Sequence, residues 1–519
     1  METLPTDLKR NNGSSITMKK NGWYLLPAVF FLLINFAVSY DKYLFLSRLN
    51  YFFFFVLLFV ILRRVNLERL LPPIIGGISF ILYSYGIIQK FILFPLYIKQ
   101  IQAGDNLYSQ TLLIRLQTGR IYSIFPLPTL YAIICVALIL FSFHYFLNTR
   151  DTGKKAFWII ILVMGLFNLV LTQSFGGIFI LLAGGLIYLI TAEILKFKYL
   201  APVLMVLSLF IFLTIALRFS EVRAFEPIKF RFSNWAQCVR LIGDKPLWGT
   251  GLGSYETEAA SYFKPREARS IYAHNFFLQF AAETGLVISL ALILFLIFTW
   301  NRWKPSKAIY KEKNIYITVF SVLLLYNAID IGFYFFSAGI IAAVVLSQIF
   351  RKREDSSKPG WISGIVFLSL FIFSSLFIGG ESISDNYQNE ADFLMSGKNF
   401  SEADSSYRNS LKFNPFNYRS YIGLAYISLE NSNLTDGSKY LEKARNIAGN
   451  SATIDFLQSK VEYYRQHFLS SFYYAEAAYQ KHRLNDQYKS WYLYLKNSLD
   501  TLIKKSESAK GVSPQEGGR

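Results

Sequence analysis

The chain has 519 residues, of which 53% are hydrophobic and 18% aromatic, and it carries a formal net charge of +19 at pH 7. Apolar runs near ~20 residues recur along it, the mark of helices that cross a bilayer, and they exclude a single soluble globular domain. The basic residues flank those runs and build no compact basic face, so the charge is read as topology-setting and nucleic-acid binding is set aside.

In chain order, residues 1–21 form a polar tail ending in Lys19 and Lys20. The next run, 23–40, is too long for a cleaved leader and lacks a small-residue cleavage site, so it is expected to stay as a signal anchor within a first span at 22–40. Further spans are expected at 44–62, 70–89, 125–147, 156–173, 177–195, 199–217, 285–301, 314–329, 333–350 and 361–379, about eleven in all. Alternate connections are basic, among them Arg63 and Arg64, Lys154 and Lys155, Lys196 and Lys198, and Arg351 to Arg353. Cationic connections stay in the cytoplasm, so the N-terminus is expected there and everything after the last span on the opposite side. The expected fold is all-α: a polytopic transmembrane bundle over 22–380, then a C-terminal helical domain. Cys135 lies in an apolar run and Cys238 in a polar connection, which points to neither a disulfide nor a cysteine metal site.

From 384 to 500 the composition turns polar and helical, with a repeat of about 34 residues, the tetratricopeptide period. One unit holds Tyr387, Ala391, Ala403 and Tyr407, and ends at Asn414-Pro415. The next holds Tyr421, Leu424, Ala425, Leu441 and Ala444, and a weaker third follows from about 452. Small alanines let paired helices approach, and stacked pairs leave a concave face for a partner. Residues 506–519 read as a disordered tail.

Two connections on the expected outer face break the charge rule. The first, 90–124, includes Arg120; the second, 219–284, includes Arg231, Arg240, Arg266 and Arg269. Arginine presents a planar fork that pairs with phosphate oxygens, so Arg120, Arg240, Arg266 and Arg269 are candidate substrate-binding residues. The long connection also holds His274, one of four histidines in the chain. Histidine as a residue type changes charge near neutral pH and suits a general base, while Arg231 suits charge building on a leaving group. Asn275 would orient a hydroxyl or cap the helix starting there. Gly249, Gly251 and Gly253 are read as permitting a turn and close backbone approach. Glu256, Glu258 and Glu283 are plausible arginine partners, and Asp330 is read as a helix-end or ion-pair residue.

Taken together, Arg231-x-x-x-Trp235, then Pro246-x-x-Gly249-x-Gly251-x-Gly253, then His274-Asn275-x9-Gly285 resemble the O-antigen ligase/polymerase family of bacterial membrane glycosyltransferases. Arg120 entering a span, and Asp330 before the aromatic run Phe333 to Phe336, extend the resemblance over roughly 20 to 350. One position departs: relatives often have Ser-Arg-Gly at the outer end of a middle span, where this chain has Phe175 after Ser174. The resemblance implies transfer of a glycan from undecaprenyl diphosphate to an acceptor at the periplasmic face of the inner membrane. No cofactor and no metal are implied. The acceptor would be lipopolysaccharide core, a growing polymer or a protein, with membrane lipids and a protein on the repeat domain as further partners. His274 and Arg231 would be catalytic, and Trp235, Pro246, the four glycines and Asp330 structural. The rival classes are a lipid-glycan transporter, which would carry polar groups through the bilayer, and a non-catalytic scaffold presenting the repeat domain.

Overall fold

The computed structural model describes residues 25–39, 41–102, 116–193, 226–262, 270–303, 312–351, 361–449 and 451–510, with isolated positions between 202 and 212. All regular structure there is helical. The membrane part comprises α1 (Leu25–Val38), α2 (Lys42–Leu62), α3 (Leu71–Ile88), α4 (Phe94–Gln102), α5 (Pro128–Asn148), α6 (Thr152–Leu171) and α7 (Phe175–Thr191). The polar connection holds α8 (Glu226–Asp244) and α9 (Tyr255–Ala259), α10 (Phe276–Trp303) leads out of it, and α11 (Asn314–Asn327), α12 (Phe336–Ile349) and α13 (Trp361–Ser396) follow.

Among the described residues, six helices are long and apolar enough to cross a bilayer: α2, α3 with α4, α5, α6, the first part of α10, and α13. Three further apolar helices among the described residues, α7, α11 and α12, are shorter. The expected run at 199–217 lies outside the described residues apart from isolated positions, as does the tail 1–21. The α10 span starts at Phe276, nine residues before the expected 285, because the helix forms on both sides of Gly285. Likewise α3 continues through a π turn, Gln89–Leu93, into α4, where a connection was expected.

α5 is the central pillar. Its residues from Leu130 to Ser142 are all buried, as a helix apolar on every side must be. In α5 72% of the apolar window is buried, against 17–39% in the other five candidate spans. Those helices leave Phe52, Ile81, Val163, Phe373 and Leu376 exposed, a continuous demand for an apolar solvent that lipid meets. One polar node inside the bundle joins α3, α5 and α6: Tyr131 Oη donates to Asn168 Oδ1 at 2.9 Å, and Asn168 Nδ2 donates to Tyr83 O at 3.2 Å.

α13 runs unbroken through 380–384, so the last span and the first repeat helix are one rod. Beyond it lie α14 (Phe400–Phe413), α15 (Tyr418–Glu430), α16 (Leu434–Ile447), α17 (Ala452–Tyr464), α18 (Phe468–Lys481) and α19 (Asp486–Lys510). α14, α16 and α18 start 34 residues apart and end 34 residues apart. The turns before them place Lys398, Ser432 and Gln466 in the left-handed region at the same spacing. Asn399 and Asn433 cap their helices by accepting from Glu402 N and Asp436 N. α19 continues to Lys510, past the start of the expected tail at 506. The array rests on the membrane part: Tyr43 stacks on Phe416 with centroids 5.8 Å apart, Asn414 Nδ2 donates to Tyr43 Oη, and Arg419 pairs with Glu256 at 3.0 Å.

Candidate active site

Two structural facts organise the polar connection: a broken helix and a carboxylate that collects cations. Gly285 interrupts α10 with φ 81° and ψ 164°, a conformation essentially restricted to glycine. The break exposes carbonyls that a continuous helix would satisfy, and the glycine segment supplies donors. Thr250 N donates to Ala282 O at 3.1 Å, Gly251 N to Glu283 O at 2.8 Å, and Leu286 N to Pro246 O at 2.8 Å. Such contacts need bare backbone. A Cβ on Gly285 would lie 2.5 Å from the Leu247 carbonyl carbon, and one on Gly249 would sit 2.5 Å from that of Glu283. Pro246, Gly249, Gly251, Gly253 and Gly285 therefore form one packing joint.

The joint is locked by two buried polar residues. Asn35, in α1, donates to Trp248 O at 2.6 Å and Glu283 O at 2.9 Å, and accepts from Leu252 N at 3.1 Å. The Glu283 carboxylate accepts from Gly253 N at 2.7 Å, Tyr255 N at 3.3 Å, Gln279 Nε2 at 3.1 Å and Tyr334 Oη. Glu283 was expected to partner an arginine. It organises loop backbone instead, with no arginine at ion-pair distance among the described residues. Glu256 and Glu258 do pair with cations, Arg419 of the repeat array and Lys245.

The second centre is Asp330, in the connection between α11 and α12 and almost fully buried. Its Oδ1 lies 3.1 Å from His274 Nδ1 and accepts from Ile331 N at 3.0 Å; its Oδ2 lies 3.5 Å from Arg231 Nη2. Burial pushes the Asp330 carboxyl up, but the His274 hydrogen bond and charge, then Arg231 and the Ile331 N–H, outweigh it and hold the pKa below the usual aspartate value. Arg231, on α8, also donates through Nε to Ile329 O at 2.9 Å. His274 occupies the left-handed region at φ 52°, with its carbonyl accepting from Trp235 Nε1 at 3.2 Å. Asn275 caps α10, accepting from Leu278 N at 3.0 Å, and donates to Ala328 O at 2.9 Å. Phe276 N donates to Asp330 O at 3.0 Å. The start of α10 is thus tied to the 328–331 segment at three points.

With Nδ1 facing a carboxylate, the imidazole is oriented so that Nε2 is the exchanging nitrogen. Nε2 lies 3.1 Å from Ser270 Oγ, and the side chain keeps 18% of its surface exposed, enough to meet a substrate. The structure therefore brings Arg231, Trp235, His274, Asn275 and Asp330 together. It sets Arg240 aside, donating to Tyr262 O at 3.2 Å on the far side of α8. Arg120 donates to Thr172 O at 2.9 Å, at the end of α6. That turn meets the centre through Gly176, where a Cβ would lie 3.4 Å from Ile329 Cδ1. Arg266 and Arg269 lie outside the described residues.

Sequence reasoning gave Asp330 a structural part only, and here it orients both expected catalytic side chains. It overlooked Asn35 and Ser270. For Asn35 a signal existed: an amide inside an apolar run that must find partners.

No curated protein matches the chain. The O-antigen ligase family model matches residues 159–296, which hold Arg231, the glycine segment, His274 and Gly285 but end before Asp330, and the match supports a membrane glycan-processing role.

Proposed function

We propose that this chain is a glycan transferase of the O-antigen ligase type. It would move a glycan from undecaprenyl diphosphate to a hydroxyl of an acceptor at the periplasmic face of the inner membrane. The observation that carries this reading is the His274–Asp330–Arg231 cluster, of which His274 and Arg231 lie in the stretch matched by the O-antigen ligase model. In the reaction the acceptor oxygen attacks the anomeric carbon, and the bond from that carbon to the diphosphate oxygen breaks. The hydroxyl proton passes to His274 Nε2, and Asp330 stabilises the imidazolium that results. Arg231 offers positive charge as the diphosphate leaves, a transition-state interaction stronger than any in the ground state. About eleven spans, with the N-terminus cytoplasmic, place the cluster and the repeat array on the outer face. There the array, read as tetratricopeptide-like, recruits the acceptor or a protein partner.

The test is a surface-glycan gel from cells lacking the protein, complemented with wild type or His274→Ala at matched membrane levels. Restoration by wild type alone supports the reading. Bare lipopolysaccharide core in the deletion identifies a ligase, and core with a single repeat identifies a polymerase. Equal restoration by both proteins would sink it.

A further inference from the structure

Arg48 stands on α2, six residues past Lys42, so ~9 Å along a predominantly apolar helix. Ionisable residues at such depth mark function more often than structure. A guanidinium has five N–H donors. Here Nη1 makes one long bond to Tyr334 O at 3.3 Å, and Nε is buried with no acceptor. No carboxylate lies at ion-pair distance from it among the described residues. The rings of Tyr51 and Tyr334 each lie 5.6 Å from the guanidinium carbon. Aromatic faces favour the cation but offer nothing to its N–H groups. The result is a guanidinium that feels the carboxylates of Glu283 and Asp385 only at a distance, with no direct ion pair, and a buried donor without a partner.

Its place in the fold points to the ligand. Tyr334, which accepts from Arg48, ends the short turn Gly332–Tyr334 that begins just after Asp330. At the ~2 Å rise of a tight helical turn, the two positions are about 8 Å apart along the chain. A Cβ on Gly253 would lie 3.0 Å from Arg48 Cγ, so the side chain also touches the glycine joint. One turn of backbone thus carries the His274–Arg231 centre at one end and an arginine with unmet donors at the other.

Resting on the proposed transfer reaction, we propose that Arg48 is a substrate-binding residue for the diphosphate of the lipid-linked donor. A torsional change of its side chain turns the fork onto phosphate oxygens, supplying acceptors that the protein withholds. Arg231, already engaged with Asp330 and Ile329 O, is left to answer the charge that develops on bond breaking.

The experiment measures binding of undecaprenyl diphosphate to the full chain in phosphatidylcholine nanodiscs, for wild type, Arg48→Ala and Arg48→Lys. Phosphatidylglycerol nanodiscs form the second arm. Charge-assisted hydrogen bonds predict a loss of about 10–100-fold for Arg48→Ala. Arg48→Lys, which keeps the charge and loses the fork, falls between, with wild-type thermal unfolding. Unchanged affinity in both variants overturns the proposal. So does a loss confined to phosphatidylglycerol, which would make Arg48 a headgroup contact. If Arg48→Ala does not fold, Arg48→Lys decides alone. Wild-type protein that binds the probe through Arg48 but never transfers glycan would refute the transfer reading and leave this one standing.

Discussion

Replacing Gly285 by alanine tests the packing joint on which the candidate site is built. Two costs add. An L-residue at φ 81° and ψ 164° is strained by about 1–3 kcal/mol. The new Cβ would also lie 2.5 Å from the Leu247 carbonyl carbon and 2.7 Å from Trp248 N, so residues 246–251 must move off α10. That motion breaks the Leu286–Pro246 and Gly251–Glu283 hydrogen bonds, each 2.8 Å long and worth about 1 kcal/mol net. The total, about 3–5 kcal/mol, is a factor of roughly 10²–10⁴ in the folded-to-unfolded ratio. The assay is thermal unfolding of the detergent-solubilised chain, with Gly185→Ala as control. Gly185 lies on α7, where a Cβ meets nothing within 4 Å. Gly285→Ala unfolding at the same temperature as Gly185→Ala would refute the joint.

Asp330→Asn removes the charge facing both His274 and Arg231. It is expected to lower transfer rate ~10²-fold at unchanged membrane level, as loss of a positioned base does; label transfer in isolated membranes checks this. Asp41, buried beside the repeat array, has its pKa pushed up to about 6 by burial, against a hydrogen bond from Leu44 N and the charge of Arg419. Because the folded value lies above the unfolded one, its stabilising contribution is complete below pH ~4 and is lost as pH rises through about 6. The loss is up to about 3 kcal/mol for the two-unit shift. The unfolding temperature should therefore rise on going from pH 7.5 to 5, and Asp41→Asn should remove that Asp41-dependent part of the slope. An identical slope in the variant contradicts the assignment.

Helical architecture was legible wherever hydrophobicity persisted, as in α2, α5 and α6. The 34-residue spacing of α14, α16 and α18 was legible because each unit repeats small residues at its helix crossings. The expected boundary between last span and repeat domain was not, since a change in composition from apolar to polar leaves helical backbone uninterrupted in α13. Within the site, His274 and Arg231 were readable from residue type and motif. Asp330 was not readable as their shared partner, because that pairing spans 56 residues to His274 and depends on how the start of α10 docks on the connection between α11 and α12. Glu283 misled for a related reason: a carboxylate in an arginine-rich stretch suggests an ion pair, yet broken-helix geometry surrounds it with backbone and hydroxyl donors.

The most direct measurement is the rate at which label from an undecaprenyl-diphosphate-linked glycan enters acceptor in membranes of deletion cells supplied with wild-type or His274→Ala protein at equal levels. The account predicts a fall of ~10²–10⁴-fold for His274→Ala, the usual contribution of a positioned base. A His274→Ala rate equal to wild type would contradict it.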